Sequence, residues 1–164
     1  MTMTGTKIKL CGLSRPRDIR AANALKPEFV GFVFAPRSRR YVQLHGAEDN
    51  GYIRRLRALT DRPVIQAFRI RSEEDVRRAA DSGADHILLD SGAGTGTAFD
   101  WALLRHIKRP YFLAGGLGPG KVERAVELLH PYAVDVSSGI ETEGVKDPSK
   151  MAAFVAAARK EDKR

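Results

Sequence analysis

Six short apolar runs recur along the chain, at 7–11, 29–34, 64–68, 86–90, 111–115 and 133–137. Most are apolar on successive residues rather than alternate ones, the pattern of a strand buried on both faces. Such strands belong to parallel sheets covered by helices, so the pattern restricts the chain to α/β folds with right-handed crossovers. The segments between the runs supply the helices. Ser14 before Pro16 predicts a helix start, with Ile19, Ala22 and Leu25 on one side and a stop near Pro27. Glu48-Asp49-Asn50 starts another, and Ser72-Glu73-Glu74-Asp75 reads as a capping box for a helix ending at Gly83. A short helix is expected around 101–107. Pro119 leads a helix with Val122, Val126 and Leu129 inward, and Asp147-Pro148 caps a last one through Met151, Phe154 and Val155.

Two architectures satisfy this alternation, the open doubly wound sheet and the closed (βα) barrel. No G-x-G-x-x-G follows the first run, which weakens a dinucleotide-binding reading. Several runs end in a glycine or in a reactive or polar residue: Cys11, Asp90, Gly115 and Asp135. A site assembled from many strand ends favours the barrel. The 164 residues suffice for one domain, taken as 1–164.

A formal charge of +8 attracts anions. Nucleic acid would call for basic residues clustered on one face, whereas Arg54, Arg55, Arg57, Arg77, Arg78 and Arg124 are spread through helices. The single dense cluster is Arg37-Ser38-Arg39-Arg40. The expected partner is therefore a small phosphorylated metabolite, not nucleic acid. One cysteine rules out an internal disulfide framework and fits a reducing compartment. Neither a signal peptide nor a membrane-length apolar run is present, so a cytoplasmic chain with no membrane partner is expected.

The stretch 86–101 concentrates the chemistry. Asp90 closes its strand, and Gly92, Gly94 and Gly96 would let backbone N–H groups approach an anion. Each candidate also has an ordinary reading. A strand cysteine is usually a small buried hydrophobe. Asp90 and Asp135 could cap the helices that follow them. His45 could satisfy a local hydrogen bond, Arg39 and Arg40 could be solvated, and the glycines could merely shape turns.

With these residues in place, the chain resembles the phosphoribosylanthranilate isomerase family of tryptophan biosynthesis. The matching blocks are Lys9-Leu10-Cys11-Gly12-Leu13, Gly31-Phe32-Val33-Phe34-Ala35-Pro36, Ser38-Arg39-Arg40-Tyr41 and Gln43-Leu44-His45-Gly46. Leu88-Leu89-Asp90-Ser91, Gly94-Thr95-Gly96, Phe99-Asp100-Trp101, Ala114-Gly115-Gly116-Leu117 and Val134-Asp135-Val136-Ser137-Ser138-Gly139-Ile140-Glu141 follow in family order. The resemblance implies a TIM-type barrel and a cofactor-independent, metal-free Amadori rearrangement of N-(5-phosphoribosyl)anthranilate. It makes Cys11 the general base and Asp90 the general acid. Arg40 would hold the anthranilate carboxylate, with Gln43, His45 and Asp135 as further substrate contacts. Gly115, Gly116, Ser137, Ser138 and Gly139 would bind the phosphate.

One departure is large. The family pattern has about two further βα units between Arg40-Tyr41 and Gln43-Leu44, where this chain has Val42 alone. Six residues, 35–40, extend at most about 20 Å, short for a crossover back to the barrel's other end. The expectation is therefore that 41–45 runs along the rim as loop. About six parallel strands would remain, in a compressed or incompletely closed barrel. Strands 29–34 and 64–68 would then pair directly, or expose edges that a second copy of the chain covers. If the excision has cost the barrel its catalytic geometry, the chain is a phosphosugar-binding remnant.

Overall fold

The computed structural model describes residues 5–31, 41–45, 47–90 and 101–160, the side chains of 105 and 106 aside. Among them, seven strands form one parallel sheet: β1 (Lys7–Leu10), β2 (Phe29–Val30), β3 (Val42–Leu44), β4 (Val64–Arg69), β5 (His86–Asp90), β6 (Tyr111–Ala114) and β7 (Ala133–Val136). Their spatial order is β2-β1-β7-β6-β5-β4-β3. Helices α1 (Pro16–Leu25), α2 (Asn50–Arg57), α3 (Glu73–Ala80), α4 (Pro119–Leu129) and α5 (Pro148–Ala158), with a 3₁₀ segment Trp101–His106, occupy the connections.

Period-two alternation gives each strand two jobs. Ile8, Leu10, Ile87, Leu89, Leu113, Val134 and Val136 face outward and join Val122, Val126, Met151 and Phe154 in the helix–sheet core. Ile65, Leu88, Phe112, Ala114 and Ala133 face inward and pack against one another. Two-faced burial is why these runs are continuously apolar.

Residues 42–44 correct the expectation of a rim loop and of six strands. Val42, Gln43 and Leu44 pair in parallel with Val64, Ile65 and Gln66. Leu44 packs outward on Ile53, Val64 and Ala84, with Val42 beside it, while Gln43 turns inward. Strand β4 is thus flanked by β3, and direct pairing of 29–34 with 64–68 does not occur among the described residues. The described part of β2 ends at Val30, and the chain from Gly31 to Tyr41 can span about 33 Å. That reach suffices for a return to the sheet's amino end. Residues 32–34 lie outside the described residues.

The sheet curls into a shortened, incompletely closed TIM-type barrel. Its edges are β2 and β3, with no ladder between them among the described residues. They approach through the Phe29 and Tyr41 rings, 5.6 Å apart, and through Lys9 of β1, whose Nζ reaches Gln43 Oε1 at 3.0 Å.

Caps account for most helix ends. Asp49 Oδ1 accepts from Tyr52 N, Ser72 Oγ from Asp75 N, and Asp147 Oδ1 from Ser149 N and Lys150 N. Two expected ends differ. At α1 the capping carboxylate is Asp18, which accepts from the Ser14 and Arg15 amides, so Ser14 donates through its backbone. Helix α3 ends at Ala80 with Asp81 as its C-cap, and the Gly83 amide instead donates to Asn50 Oδ1. The sequence reading also missed the antiparallel ribbon β8 (Glu141–Thr142) and β9 (Val145–Lys146), too short for a hydropathy pattern. No helix among the described residues is long and apolar enough to cross a membrane.

Candidate active site

The carboxyl ends of β4, β5, β6 and β7 surround a cavity of about 280 Å³. Asp90, Gly115, Gly116, Asp135, Ser137, Ser138 and Gly139 line it. Seven of the sequence-derived site residues are therefore gathered in one place, from three strands and the loops that follow them. Arg69 also lines it, as the register partner of Asp90. Its position was not anticipated, because an arginine closing a strand reads as an ordinary solvated end.

Cys11 follows β1 on the same inward face as Lys9. Its amide donates to Val136 O, continuing the β1–β7 ladder. Lys9 Nζ donates to Asp135 Oδ2 at 2.7 Å and to Gln43 Oε1 at 3.0 Å, and stands 3.8 Å from Cys11 Sγ. The thiol is thus linked to the cavity through Lys9 and Asp135. Burial pushes the Cys11 thiol up from its ordinary value; Lys9 opposes this, Asp135 adds to it, and Lys146 pulls weakly down. Gly31 makes room for the sulfur, since a Cβ there would lie 2.6 Å from Sγ.

Asp135 is 9 % exposed, and only one of its oxygens is bonded. Oδ1 is buried with no hydrogen-bond partner among the described residues. An unpaired buried carboxylate oxygen is costly, and a donor entering the cavity would relieve the cost. Burial raises the Asp135 pKa, Lys9 offsets part of the rise, Asp90 adds to it and His45 lowers it.

The wall made by 137–139 is held from behind. Lys146, buried on β9, donates to Ser137 O at 2.9 Å, Ser137 Oγ at 3.2 Å and Glu141 Oε1 at 2.5 Å. Gly139 passes so close to the preceding loop that a Cβ would fall 1.8 Å from Leu117 O. Gly115 and Gly116 have φ of 89° and 62°, which favours glycine at both. The motif Gly144-Val145-Lys146-Asp147 held the signal for Lys146, as a lysine between an apolar residue and a helix cap.

Gln43 is bonded to Lys9 rather than lining the cavity, and His45 reaches the site through its charge interaction with Asp135. Arg40 lies outside the described residues, as does the glycine-rich segment 91–100. Tyr41, which follows Arg40, packs at the opposite end of the barrel beside Phe29 and His86. Among the described residues no three His, Cys, Asp or Glu side chains are grouped to hold a metal ion.

A family model described as N-(5'-phosphoribosyl)anthranilate (PRA) isomerase matches residues 38–157. The N-(5'-phosphoribosyl)anthranilate isomerase of Endomicrobium trichonymphae is 36% identical over 191 positions, covering 88% of this chain and 94% of the relative. That span exceeds the 164 residues here, so positions of the relative have no counterpart in this chain. The crystal structure of phosphoribosyl anthranilate isomerase from Thermotoga maritima superposes with a TM-score of 0.80 at 28% identity, covering 94% of this chain and 98% of the other. A phosphoribosyl anthranilate isomerase in complex with reduced 1-(o-carboxyphenylamino)-1-deoxyribulose 5-phosphate gives 0.78 at 28% identity, with the same coverage.

Proposed function

The chain belongs to the N-(5'-phosphoribosyl)anthranilate isomerase family, and from that premise we propose that Asp90 and Cys11 are the acid and base of its rearrangement. It is an isomerase of tryptophan biosynthesis acting on a phosphosugar-like substrate. Asp90 gives a proton to the ribose ring oxygen; the C1′–O bond breaks as the anilino nitrogen's lone pair forms the C1′=N bond. The Cys11 thiolate then takes the C2′ proton. The C–H electron pair becomes the C1′=C2′ bond and the nitrogen recovers its lone pair, giving an enolamine. In the last tautomerisation C1′ gains a proton and the C2′ hydroxyl loses one, which returns both side chains to their starting states. Every proton moves between substrate and side chain, so these steps call for no cofactor.

The observation that carries this reading is that Asp90 and Asp135 line one cavity and that Asp135 is paired with Lys9, which stands beside Cys11. The phosphate would sit at Gly115, Gly116, Ser137, Ser138 and Gly139. Asp135 Oδ1 would accept from a sugar hydroxyl, within a rim that includes Gln43 and His45. Arg40 and Arg69 are the guanidinium candidates for the anthranilate carboxylate. Cys11→Ala and Asp90→Asn should each lower kcat/KM at least about 10³-fold, roughly 4 kcal/mol of transition-state stabilisation, with wild-type melting curves. Full turnover in either variant overturns its assignment.

The excision favours a second reading, a remnant that binds the phosphosugar without turning it over. An isomerase assay on the purified protein, with complementation of a tryptophan auxotroph lacking this step, separates the two. The open edges at β2 and β3 support a homodimer that covers them. Light scattering on eluted protein tests it, and a strict monomer rejects it. The reading places the enzyme in the cytoplasm, with no nucleic-acid partner.

A further inference from the structure

Lys9 performs no step of the rearrangement, yet it is among the most buried charges in the barrel, 5 % exposed. A buried ammonium is tolerated only when its hydrogens are met. Here three acceptors meet them: Asp135 Oδ2, Gln43 Oε1 and the Cys11 sulfur, contributed by β7, β3 and the end of β1. Asp135 lines the cavity and its Oδ1 has no partner among the described residues. Hydrophobic residues of similar volume commonly hold such a position at least as well. The arrangement therefore asks for a reason in the chemistry.

We propose that Lys9 is a positioning residue for the rearrangement: its ammonium, pinned by Asp135 and Gln43, stands 3.8 Å from the Cys11 sulfur and favours its thiolate over the thiol when the base acts. This rests on the reading of Cys11 as the base. Among the described residues, the charged groups that act on the sulfur are Lys9, Asp135 and Lys146, and Asp135 in turn feels Asp90 and His45. Burial, the largest influence, and Asp135 favour the thiol and leave its pKa raised, while Lys9 is the strongest influence toward the thiolate and Lys146 adds a little. When the thiolate takes the C2′ proton it becomes a neutral thiol, and Lys9 keeps its other two partners, so the site retains its shape through the step.

The chain has one cysteine, so alkylation by iodoacetamide reads Cys11 alone. The pH dependence of that rate is to be measured in wild type, Lys9→Arg and Lys9→Met, with circular dichroism for the fold. Lys9→Met should move the midpoint up by about one pH unit, while Lys9→Arg stays within about 0.3 unit. In turnover, Lys9→Met should lower kcat about tenfold at neutral pH, recover on the alkaline side, and leave KM within about twofold. Should Lys9→Met not fold, Lys9→Met/Asp135→Asn leaves no uncompensated buried charge, and its midpoint should lie above that of Asp135→Asn. A wild-type midpoint in Lys9→Met, or equal midpoints in the second comparison, overturns the proposal. Activity lost without a midpoint shift would make Lys9 merely structural. Full turnover in Cys11→Ala would reject the base assignment while leaving the Lys9–thiol coupling measurable.

Discussion

At the amino ends of the strands the barrel interior is filled by rings, and at the carboxyl ends by charges. Phe29, Tyr41, His86, Phe112 and Tyr132 meet edge-on, tilted or stacked, with centroids 5.1 to 6.0 Å apart. At the other end stand Lys9, Asp135, Asp90 and Cys11. Two lysines on one strand show the contrast most directly. Lys7 and Lys9 share the inner face of β1, yet Lys7 Nζ lies 4.2 Å over the Tyr132 ring and donates to its hydroxyl at 2.6 Å. Lys9, two residues on, is met by a carboxylate, an amide and a thiol. At the ring end Phe29 and Tyr41 bring the two sheet edges together, where β2 and β3 share no ladder among the described residues. The charged end holds a buried carboxylate oxygen of Asp135 that has no partner among the described residues.

Substitutions at four positions, with one double variant, press on this division, taken from the largest expected effect down. Phe112→Ala opens a cavity in the ring end and should cost about 4 kcal/mol in denaturant unfolding, the scale for a buried phenylalanine. The alkylation midpoint of Cys11 in the folded fraction should stay unchanged; a shift would mean that the two ends are not separable. Asp135→Ala leaves the Lys9 ammonium without its carboxylate and should cost about 3 kcal/mol. Lys9→Met/Asp135→Leu should restore stability to within about 1 kcal/mol of wild type without restoring turnover. An active double variant would deny the charged end its chemical purpose.

Gly139→Ala drives a methyl group against Leu117 O and should cost about 2 kcal/mol, with a rise in KM because the 137–139 wall shifts. Unchanged KM would separate that wall from the substrate. The smallest effect is at His86, whose pKa burial lowers below its ordinary value. The folded state disfavours the charged ring, so the unfolded chain binds the proton more readily. His86 therefore favours folding above about pH 6.5, and that contribution falls as pH drops through the unfolded value toward the lower folded one. His86→Phe should flatten this part of the stability profile; an identical slope in the two proteins would reject the account.

Much of the scaffold could be read directly. The strands announce themselves because residues facing both layers must be apolar, and the caps at Asp49, Ser72 and Asp147 are local chemistry visible within three residues. Asp90, Gly115 and Asp135 stood out as strand ends, while Gly116, Ser137, Ser138 and Gly139 were picked out by the family resemblance; all line the one cavity. Strand β3 was not, since three residues carry no periodicity and its partner lies twenty residues downstream. Asp18 was missed as a cap because the nearer Ser14 offered the more familiar signal. The alternation Lys7, Ile8, Lys9, Leu10 did place both lysines on one face, but nothing nearby distinguishes their fates.

Local pattern sufficed for the layer arrangement, the inward and outward faces and the thiol and carboxylate at strand ends, and the ordered motifs resembled those of the family to which the chain belongs. Burial on two faces and backbone geometry act over a few residues, so they leave their mark in order along the chain. What each inward charge meets is another matter. Lys9 finds Asp135 across 126 positions and Gln43 across 34, and the two sheet edges come together through rings on either side of the missing units. Lys9 meets Asp135 because β1 and β7 pair in register, whereas Gln43, on the far edge strand, comes within reach only when the sheet curls.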